Sequence, residues 1–413
     1  MAEQPLLNTY GRLPIVFDHG QGPWLFDTQG HRYFDTFSGI AVCGLGHAHP
    51  AVTEAIRAQS GKLLHCSNLF HTSVQHELAS ELCDLAGMDG VFLANSGAEA
   101  NEAAIKLARL HGHNRGIDSP TIVVMEHAFH GRTLATLTAT GNPRVQAGFE
   151  PLVSGFRRVP FNDIETLRGL AASDPTIAAV LLEPVQGEGG MAVADRAWLH
   201  DVRALCDEYG WLLMLDEVQT GNGRTGHLFA YQHYGIQPDI VTTAKGLGNG
   251  FPIGACLARG EAAQVFRPGH HGSTFGGNAL ACAAALAVLR TLQQEKLMAR
   301  ATELGDRIIK ALREAFSGAD YVHDIRGLGL MIGIEMSSPC PELVPLAKTR
   351  GLLLNVTSDC VIRLLPPLTL TDDEARYMVE RVIHTIKLYA GDDRQQPRAA
   401  PPPGPRGPGV TRH

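Results

Sequence analysis

Short apolar runs that alternate with helical segments constrain the fold of this chain more than any other feature of its sequence. The segments 51–59 and 74–85 look helical. Five runs read as buried strands, and each leads into polar or glycine-rich residues: 91–93, 122–125, 178–182, 211–215 and 240–242. Strands that alternate with helices are typical of a mainly parallel sheet with helices on both faces. The sequence therefore predicts an α/β fold around such a sheet.

The chain is long enough, at 413 residues, for a large core and two domains in one globular body. Residues 1–45 read as a meander of short strands that we expect to join the smaller domain. Residues 46–290 form the predicted large domain, and residues 291–390 form a smaller α+β domain. Residues 391–413 are rich in proline and glycine and cannot bury apolar surface, so we predict a disordered tail there.

Composition and charge argue against several classes of protein. A formal net charge of -7 argues against a nucleic-acid-binding protein. The longest apolar run, residues 279–289, is shorter than the roughly 18 residues that span a bilayer, and the N-terminus shows no secretory signal pattern. The eight cysteines form no C-x-x-C pair, which fits a reducing compartment better than a disulfide framework. We therefore predict a cytoplasmic protein without membrane or nucleic-acid partners.

Lys245 stands just after the last of the five apolar runs, and Gly246 and Gly248 follow it closely. A lysine at the mouth of a strand, with flexible backbone behind it, is well placed for covalent chemistry on a carbonyl. Such a lysine must lose its proton, and burial near other positive charge favours that loss. The alternative is a surface lysine at the end of a strand, and this segment alone does not exclude it.

Another strand leads into a helix at Ser96. Ser96 and Glu99 have the spacing of a capping box, in which both side chains bind backbone N–H groups at the start of the helix. The free N–H groups of the first turn and the positive end of the helix dipole suit an anion such as a phosphate. Gly97 would let that anion approach the backbone. The alternative is an ordinary well-capped helix.

The run 211–215 leads into Asp216 and Glu217, for which two functions compete. One is the Walker-B element of an ATPase, but the G-x-x-x-x-G-K-[ST] motif that such a protein needs is absent from the sequence. The other is a buried carboxylate that pairs with a protonated ring nitrogen. An acid at the end of a strand can also be no more than its polar terminus.

The residues after the run 122–125 suit a flat ring and a carboxylate, which α/β folds bind at the carboxyl ends of their strands. Phe129 offers a ring face, and Arg132 offers a guanidinium that grips a carboxylate with two hydrogen bonds. His127 and His130 have H-x-x-H spacing, but no cluster of cysteine or acidic ligands accompanies them. We therefore predict a structural role for both histidines and no metal site.

Three further segments contain polar groups whose role the residues alone leave open. Arg363 lies within an apolar strand and needs a partner, which is either the carboxylate of a ligand or a structural ion pair. Ser273 and Thr274 belong to a loop of hydroxyls and glycines that suits a phosphate or a tight turn. Glu188 lies in a glycine-rich loop and indicates nothing by itself.

Together these features match what pyridoxal phosphate requires of a protein. They include a lysine that can form a Schiff base, a helix start for a phosphate and an aromatic residue for stacking. They also include an acid for a ring nitrogen and two arginines for carboxylates. Pyridoxal phosphate presents an imine, a ring, a pyridinium and a phosphate to the protein that binds it. We therefore predict pyridoxal phosphate as the cofactor.

The chain also resembles the class-III (fold type I) aminotransferases over residues 9–389. Seven motifs, in order along the chain, carry the resemblance: 44–50, 96–100, 129–133, 183–190, 216–221, 245–246 and 273–278. The resemblance implies the fold of a type I pyridoxal-phosphate-dependent transferase and a homodimer with active sites at the subunit interface. The alternative is a non-catalytic relative, and the joint presence of Lys245, Asp216, Arg132 and Arg363 argues against it.

The resemblance implies a role for each residue of the cofactor site. Lys245 and Asp216 would be catalytic, since Lys245 would hold the cofactor and shuttle a proton, and Asp216 would keep the pyridine nitrogen protonated. Gln219 would bind the 3-oxygen of the ring, and Thr274 would reach the phosphate bound by the neighbouring subunit. The complete implied cofactor site is Gly97, Ala98, Phe129, Asp216, Glu217, Val218, Gln219, Lys245 and Thr274.

The resemblance implies substrate contacts from Arg132, Ser273, Glu188 and Arg363. Arg132 would bind the substrate carboxylate, and Arg363 would receive the α-carboxylate of glutamate or 2-oxoglutarate, with Glu188 as its partner in the absence of that ligand. The implied reaction moves the δ-amino group of N2-acetylornithine to 2-oxoglutarate, a step of arginine biosynthesis. Succinylornithine, ornithine, 4-aminobutyrate and an acylated lysine intermediate stay alternative donors, because each pairs a carboxylate with a distant amine.

Overall fold

The computed structural model describes residues 5–392, so the predicted tail lies outside the described residues from position 393 onward. Within the described part, no helix is both long enough and apolar enough to cross a membrane. The strands are β1 (Phe17–Gln21), β2 (Trp24–Asp27), β3 (Arg32–Asp35), β4 (Gly90–Ala94), β5 (Thr121–Met125), β6 (Phe156–Val159), β7 (Ile177–Leu182), β8 (Val185–Gln186), β9 (Ala192–Val193), β10 (Leu212–Asp216), β11 (Ile240–Thr243), β12 (Gly254–Ala258), β13 (Val322–Leu328), β14 (Met331–Met336), β15 (Leu352–Leu353), β16 (Asn355–Thr357) and β17 (Val361–Leu364).

The helices differ widely in length, and the first of them is a short turn. They are α1 (Ser38–Ala41), α2 (Pro50–Ser60), α3 (Ser73–Ala86), α4 (Gly97–Asn114), α5 (Leu134–Ala139), α6 (Pro143–Gln146), α7 (Ile164–Ser173), α8 (Arg196–Tyr209), α9 (Ala230–Tyr234), α10 (Ala279–Gln294), α11 (Leu297–Ala315), α12 (Leu343–Thr349) and α13 (Asp372–Tyr389). A 3₁₀ turn, Lys245–Leu247, follows β11 directly.

A seven-stranded sheet forms the centre of the molecule, in the order β4-β12-β11-β10-β7-β5-β6. Of these seven strands, six run in one direction, and β12 runs antiparallel to both of its neighbours, β11 and β4. Strands β5, β7 and β10 are buried along their whole length. Such burial is expected of a parallel sheet that helices cover on both sides. The predicted α/β fold around a mainly parallel sheet is confirmed.

The side chains of β7 show that both faces of the sheet are covered. Val180 and Leu182 enter one apolar core, which also contains Leu199 of α8. Ala179 and Leu181 enter a second core on the opposite face, together with small residues of α4 such as Ala104. Successive residues of a strand point to opposite faces, so this alternation places the sheet between two helical layers.

Two strands of the central sheet, β6 and β12, are not predictable from local sequence. Strand β6 lies at the edge of the sheet and includes the exposed residues Arg157 and Arg158, so it lacks the apolar run of a buried strand. Strand β12 has the sequence Gly-Ala-Cys-Leu-Ala, and glycine and alanine are poor strand formers. The hydrogen bonds that β12 forms with its neighbours β4 and β11 therefore stabilise it as a strand. Its own strand propensity does not.

A smaller antiparallel sheet, β13-β14-β17-β16, packs its first two strands against α11. The N-terminal strands form a further sheet with β15, in which Phe34 of β3 lies opposite Leu352. The start of the chain is thus hydrogen-bonded to a strand that comes much later in the sequence. The predicted domain boundaries at residues 45, 290 and 390 stay predictions.

The parallel strands bring distant segments of the chain to one edge of the sheet. Strand β4 leads into the turn before α4, and β5 leads into residues 126–132. Strand β10 ends at Asp216, and β11 leads into Lys245. Because parallel strands have their carboxyl ends at the same edge, the polar residues that follow them meet there.

Candidate active site

A cavity of about 400 Å³ opens at this edge of the sheet. Its volume is within the usual range for sites that bind small molecules. Two residues that follow the Lys245 turn, Phe251 and Ile253, and Val42 make part of its wall apolar. Eight of the residues predicted from the sequence also line it: Gly97, Ala98, Phe129, Arg132, Asp216, Val218, Gln219 and Lys245.

The start of α4 presents free backbone donors to the cavity. The Ser96 hydroxyl accepts the N–H of Glu99 at 3.2 Å, and Glu99 Oε2 accepts the N–H of Asn95 at 2.6 Å. These two bonds do not use the N–H groups of Gly97 and Ala98. Both groups stay free for a ligand, because the first turn of a helix has no internal acceptors for them. A Cβ on Gly97 would lie only 2.8 Å from the Val218 side chain, so glycine is required for this close packing.

Asp216 is fixed by hydrogen bonds to both of its carboxylate oxygens. Its Oδ2 lies 2.8 Å from Nδ1 of His130 and accepts a bond of 2.7 Å from Nδ2 of Asn101. Its Oδ1 accepts the N–H of Val218 at 3.0 Å. Thr242 in turn donates to Asn101 Oδ1 at 2.6 Å, which orients the amide. The carboxylate is therefore held in one direction and stays available at the cavity wall.

The contacts of His130 and Asn101 with Asp216 were not predicted from the sequence. His130 is fully buried, and within the described residues its Nε2 has no hydrogen-bond partner. Asn101 lies four residues after Gly97 on the same face of α4, a spacing that could have indicated its position near the cavity. His130 does have a structural role, as predicted, because it positions Asp216.

Lys245 reaches the cavity from the 3₁₀ turn after β11, and its backbone has a φ of 42°. Residues other than glycine rarely adopt this left-handed conformation, and such residues cluster at active sites. Burial lowers the pKa of the Lys245 ammonium, and the positive charge of Arg363 lowers it further, against the opposite effect of Glu188 and Asp216. A lysine in these surroundings loses its proton more readily than one in water.

Glu183 positions Phe129 at the cavity. Its Oε1 accepts the backbone N–H of Phe129 at 2.9 Å, and the side chain is buried. Burial raises the pKa of Glu183 well above its ordinary value, and the nearby charge of Asp216 raises it further. Glu183 belongs to the Glu183–Gly190 motif, but its own role was not predicted.

Arg363 of β17 lies behind Gln219 and is 1% exposed. Its Nη1 is 2.6 Å from Oε1 of Glu188 and donates to Oε1 of Gln219 at 3.1 Å. Its Nε and Nη2 both donate to Oδ1 of Asn355, at 2.9 and 2.7 Å. The structure thus brings together Arg363, Glu188 and Gln219, and adds Asn355, which the sequence did not indicate.

Arg132 differs from Arg363 in exposure and in partners. Its side chain is exposed at the mouth of the cavity, and its guanidinium carbon lies 5.8 Å from the centre of the Phe129 ring. Among residues 5–392, it forms no ion pair. Arg132 is therefore free to bind a carboxylate from outside the protein.

Besides Arg363 and Glu188, three predicted site residues do not line the cavity of their own chain. The Ser273 hydroxyl accepts from Asn95 Nδ2 at 3.2 Å and from the N–H of Gly276 at 3.0 Å. Thr274 is exposed and borders a different hollow, beside His65. Glu217 follows Asp216 directly, but its side chain points to the opposite side of the strand, into the protein.

The carboxylate of Glu217 caps α9. It accepts the N–H groups of Ala230 and Tyr231, both at 2.9 Å, and the hydroxyl of Thr220. Burial raises the pKa of Glu217 to about 7 against the opposite effect of these bonds. Its side chain therefore stabilises the fold at α9 and does not reach the cavity.

We expect Glu217 to make the free energy of unfolding depend on pH. Glutamate in an unfolded chain titrates near pH 4.3, so the folded state binds this proton more tightly. Stability then falls as the pH rises from about 4.3 to about 7, by up to about 1.4 kcal/mol per pH unit. Glu217→Gln should remove this contribution, and urea unfolding across that window measures it. The exposed Glu208→Gln is the control, and parallel profiles for Glu217→Gln and the unsubstituted protein would contradict the prediction.

The residues of the cavity fit pyridoxal phosphate. Free N–H groups at the start of α4, an aromatic ring, a fixed carboxylate and a lysine supply one partner for each part of the cofactor. The tight packing of Gly97 on Val218 keeps the start of α4 next to the carboxyl end of β10, which ends at Asp216. Among the described residues, no group of three or more His, Cys, Asp or Glu side chains could hold a metal ion.

Comparison with known proteins gives consistent results. The family model described as "Aminotransferase class-III" matches residues 7–386. Acetylornithine aminotransferase of Nitrosomonas europaea is 55% identical over 384 residues, which cover 93% of this chain and 98% of that protein. The acetylornithine aminotransferase of Methanothermobacter thermautotrophicus is 48% identical over 381 residues, which cover 92% of this chain and 96% of that protein.

Solved structures show the same relationship. The ornithine aminotransferase of Toxoplasma gondii ME49 has a TM-score of 0.91 and 34% identity, with 94% of each chain covered. The acetylornithine aminotransferase of Elizabethkingia anophelis has a TM-score of 0.83 and 36% identity, with 92% of this chain and 95% of that chain covered.

These matches confirm the predicted family, the fold and pyridoxal phosphate as the cofactor. They also exclude the ATPase that Asp216 and Glu217 had left as an alternative. The chain belongs to the class-III aminotransferases, which are pyridoxal-phosphate-dependent transaminases.

Proposed function

We propose that this enzyme moves the δ-amino group of N2-acetylornithine to 2-oxoglutarate, which yields N-acetylglutamate 5-semialdehyde and glutamate, in arginine biosynthesis. The observation that carries the proposal is that two arginines near one cavity differ in whether they form an ion pair. Arg363 is paired with Glu188, whereas Arg132 has no ion pair among the described residues. The names of the curated relatives support N2-acetylornithine as the amino donor.

Bound pyridoxal phosphate supplies the electron sink that stabilises negative charge on the amine-bearing carbon of the substrate. The protein residues hold this group in place. The N–H groups of Gly97 and Ala98 would bind the phosphate, and Phe129 would pack on the ring. Asp216 would face the ring nitrogen as a fixed anion, because His130 and Asn101 hold its carboxylate.

Lys245 would act as the base of the reaction. Its lowered pKa, caused first by burial and then by the charge of Arg363, favours the neutral amine that can accept a proton. Nζ of Lys245 would take the proton from the amine-bearing carbon of the substrate and give it up again as the amino group is transferred. One residue can do both because the amine that accepts a proton becomes an ammonium that can donate it again.

The two arginines would let one cavity accept two substrates of different shape. With the acylated amino acid, Arg132 binds the carboxylate, and the distant amine extends towards Lys245. Glu188 stays paired with Arg363 at this stage. The pair neutralises the positive charge of Arg363, which would otherwise compete with Arg132 for the carboxylate.

With 2-oxoglutarate, the α-carboxylate would replace Glu188 on Arg363. The Glu188 side chain is 36% exposed, so it has a path away from the pair. Asn355 and Gln219 keep their hydrogen bonds to the guanidinium during this exchange. Removal of one partner from a buried ion pair is costly unless another anion replaces it, so Arg363 alternates between two carboxylates.

A panel of amino donors tests the proposed substrate. The holoenzyme is assayed with 2-oxoglutarate and, in turn, N2-acetylornithine, N2-succinylornithine, ornithine, 4-aminobutyrate and an acylated lysine intermediate. We expect kcat/KM for N2-acetylornithine to exceed that for ornithine by at least about tenfold, because a free α-ammonium would enter the site without a partner. A higher value for ornithine or 4-aminobutyrate would replace the proposal with that alternative.

We also propose a homodimer in which Thr274 reaches the cofactor site of the partner subunit. Thr274 lies outside the cavity of its own chain. Phe70, which borders the same hollow, and the adjacent Phe275 are 66% and 60% exposed. Exposed apolar patches of this kind mark association surfaces. Sedimentation analysis should give twice the chain mass, and a monomer with full cofactor content would contradict the proposal. A cytoplasmic location stays a prediction.

A further inference from the structure

One hairpin of the smaller sheet, formed by β16 and β17, holds both members of the Arg363–Glu188 ion pair. It contains Arg363 and, directly opposite in the register, Asn355, whose Oδ1 accepts two bonds from the guanidinium. The same hairpin binds the main chain of Glu188. Thr357 Oγ1 donates to the backbone oxygen of Glu188 at 2.8 Å, and Ser358 Oγ donates to that oxygen at 3.0 Å.

Thr357 owes its position to the geometry of β16. Residues two apart on a strand point to the same face, so Thr357 lies on the face that also presents Asn355 to Arg363. Thr357 is 6% exposed, and a hydroxyl buried to this extent needs a hydrogen-bond partner. The backbone oxygen of Glu188 is that partner, so their bond is costly to break.

Ser358 is exposed, and the backbone of the turn between β16 and β17 directs its hydroxyl. Ser358 and Asp359 have φ angles of 48° and 63°, and consecutive residues with positive φ are typical of tight hairpin turns. The oxygen of Ser358 accepts the N–H of Cys360 at 2.7 Å, and the oxygen of Asp359 accepts the N–H of Cys340 at 2.9 Å. The turn is therefore fixed, and it holds the Ser358 hydroxyl at the Glu188 oxygen.

The main chain on both sides of Glu188 is closely packed. A Cβ on Gly187 would lie 2.2 Å from Oε1 of Gln219, and a Cβ on Gly189 would lie 2.8 Å from the backbone oxygen of His127. Glycine is therefore required at both positions. Close packing and two hydroxyl bonds leave the side chain as the part of Glu188 that can move away from its partner.

Arg326 of β13 fixes the end of the same loop independently of the hairpin. Its Nη2 donates to the oxygen of Gly190 at 2.6 Å, and its Nε donates to the oxygens of Gly190 and Met191 at 3.2 and 3.3 Å. The guanidinium is itself held by Glu335 at 2.5 Å. Loss of the two hydroxyl bonds would therefore loosen the backbone at Glu188 without releasing the loop from the smaller sheet.

We propose that Thr357 and Ser358 are positioning residues that control how tightly the enzyme binds its dicarboxylate substrate. They hold the Glu188 backbone, and thereby keep its carboxylate at a high effective concentration beside Arg363. An incoming α-carboxylate has to displace this carboxylate, so a firmly held Glu188 lowers the affinity for the dicarboxylate. The inference rests on the proposed function, in which the two carboxylates use Arg363 in turn.

Glutarate tests this step without turnover, because it has the two carboxylates of 2-oxoglutarate and no keto group. Calorimetric titration of the holoenzyme measures its Kd. We expect Thr357→Val combined with Ser358→Ala to lower this Kd by about three- to tenfold, the usual size of the effect of one or two hydrogen bonds. The KM for 2-oxoglutarate should fall as well. The KM for N2-acetylornithine should not fall, because that substrate does not use Arg363.

Two control variants separate this role from a general effect on the fold. Thr357→Ser keeps the hydroxyl and should keep the Kd for glutarate. Ser337→Ala removes a bond of 2.6 Å from an exposed hydroxyl to the backbone oxygen of Asp320, just after β14, and should also leave that Kd unchanged. An unchanged or higher Kd in the double variant would overturn the proposal.

The visible absorption band of the bound cofactor reports whether the double variant is folded. If it is not, Ser358→Ala alone decides the question, because Ser358 is exposed and its replacement leaves no buried group behind. We expect this single variant to lower the Kd for glutarate by about twofold or more. An unchanged Kd in Ser358→Ala would then overturn the proposal.

Glu188→Ala distinguishes failure of this inference from failure of the proposed function. It removes the competing carboxylate outright and should lower the Kd for glutarate by about tenfold or more, since Arg363 is then a buried charge without its anion. If Glu188→Ala has this effect and the hydroxyl variants do not, the inference fails and the proposed function stands. If Glu188→Ala also leaves the Kd unchanged, the exchange of carboxylates on Arg363 fails with it.

Discussion

Replacement of Lys245 by alanine should lower kcat by roughly 10⁴-fold or more, at or beyond the upper end of what a proton-transferring residue contributes. The variant would lose the proposed base in the cavity and, with it, the proposed covalent link to the cofactor. The unusual backbone of Lys245, with its φ of 42°, supports this expectation, because such a conformation persists only where the surrounding structure enforces it. Steady-state turnover with N2-acetylornithine and 2-oxoglutarate measures the effect.

A second lysine provides the control for Lys245→Ala. Lys310 on α11 is 78% exposed and makes a surface contact with Glu314, so Lys310→Ala should leave kcat and KM unchanged. The visible absorption band of the cofactor separates the two variants as well, because it should change in Lys245→Ala and not in Lys310→Ala. Turnover of Lys245→Ala at the rate of the unsubstituted enzyme would refute both the site and the mechanism.

Asp216→Asn should lower kcat/KM by about 10²- to 10⁴-fold, which corresponds to the loss of a buried charge from its partner. An amide cannot stabilise a proton on the ring nitrogen as a carboxylate does. The substitution also disturbs the local network, because an amide NH₂ that replaces Oδ2 would face the NH₂ of Asn101, which now donates to Asp216 at 2.7 Å. We therefore expect a lower cofactor affinity in addition to slower turnover.

Cofactor titration and steady-state kinetics together test the Asp216 prediction. Asp207→Asn is the matched control, because its carboxylate is 68% exposed on α8 and pairs with Arg203 at the surface. It should bind cofactor and turn over substrate as the unsubstituted enzyme does. If Asp216→Asn, once saturated with cofactor, reached the rate of the control, the role given to Asp216 would be untenable.

Several site residues are predictable from sequence because each follows the end of an apolar strand. Lys245, Asp216 and Phe129 follow strands that are parallel in the structure, and parallel strands deliver the residues after them to a common edge. Gly97 was indicated by the cap at Ser96. Local patterns and the rule that parallel strands end at a common edge are enough to group these residues, whatever the order of the strands in the sheet.

The partners of those residues could not be predicted in the same way. His130 and Asn101 meet Asp216 only because β5, β10 and α4 are arranged as the sheet order dictates, and that order is not a local property. The direction of the Glu217 side chain, in contrast, could have been predicted, because neighbouring residues of an extended strand point to opposite sides. That rule predicts that Asp216 and Glu217 cannot both face the cavity.

Strand β4 has one neighbour in the central sheet, β12, and Ala94 at its end pairs with Gly254. These two residues are far apart in the sequence, and contacts that close a long loop form slowly compared with the turns of a helix. We therefore expect the pairing of β4 with β12 to be a late step in the folding of the central sheet.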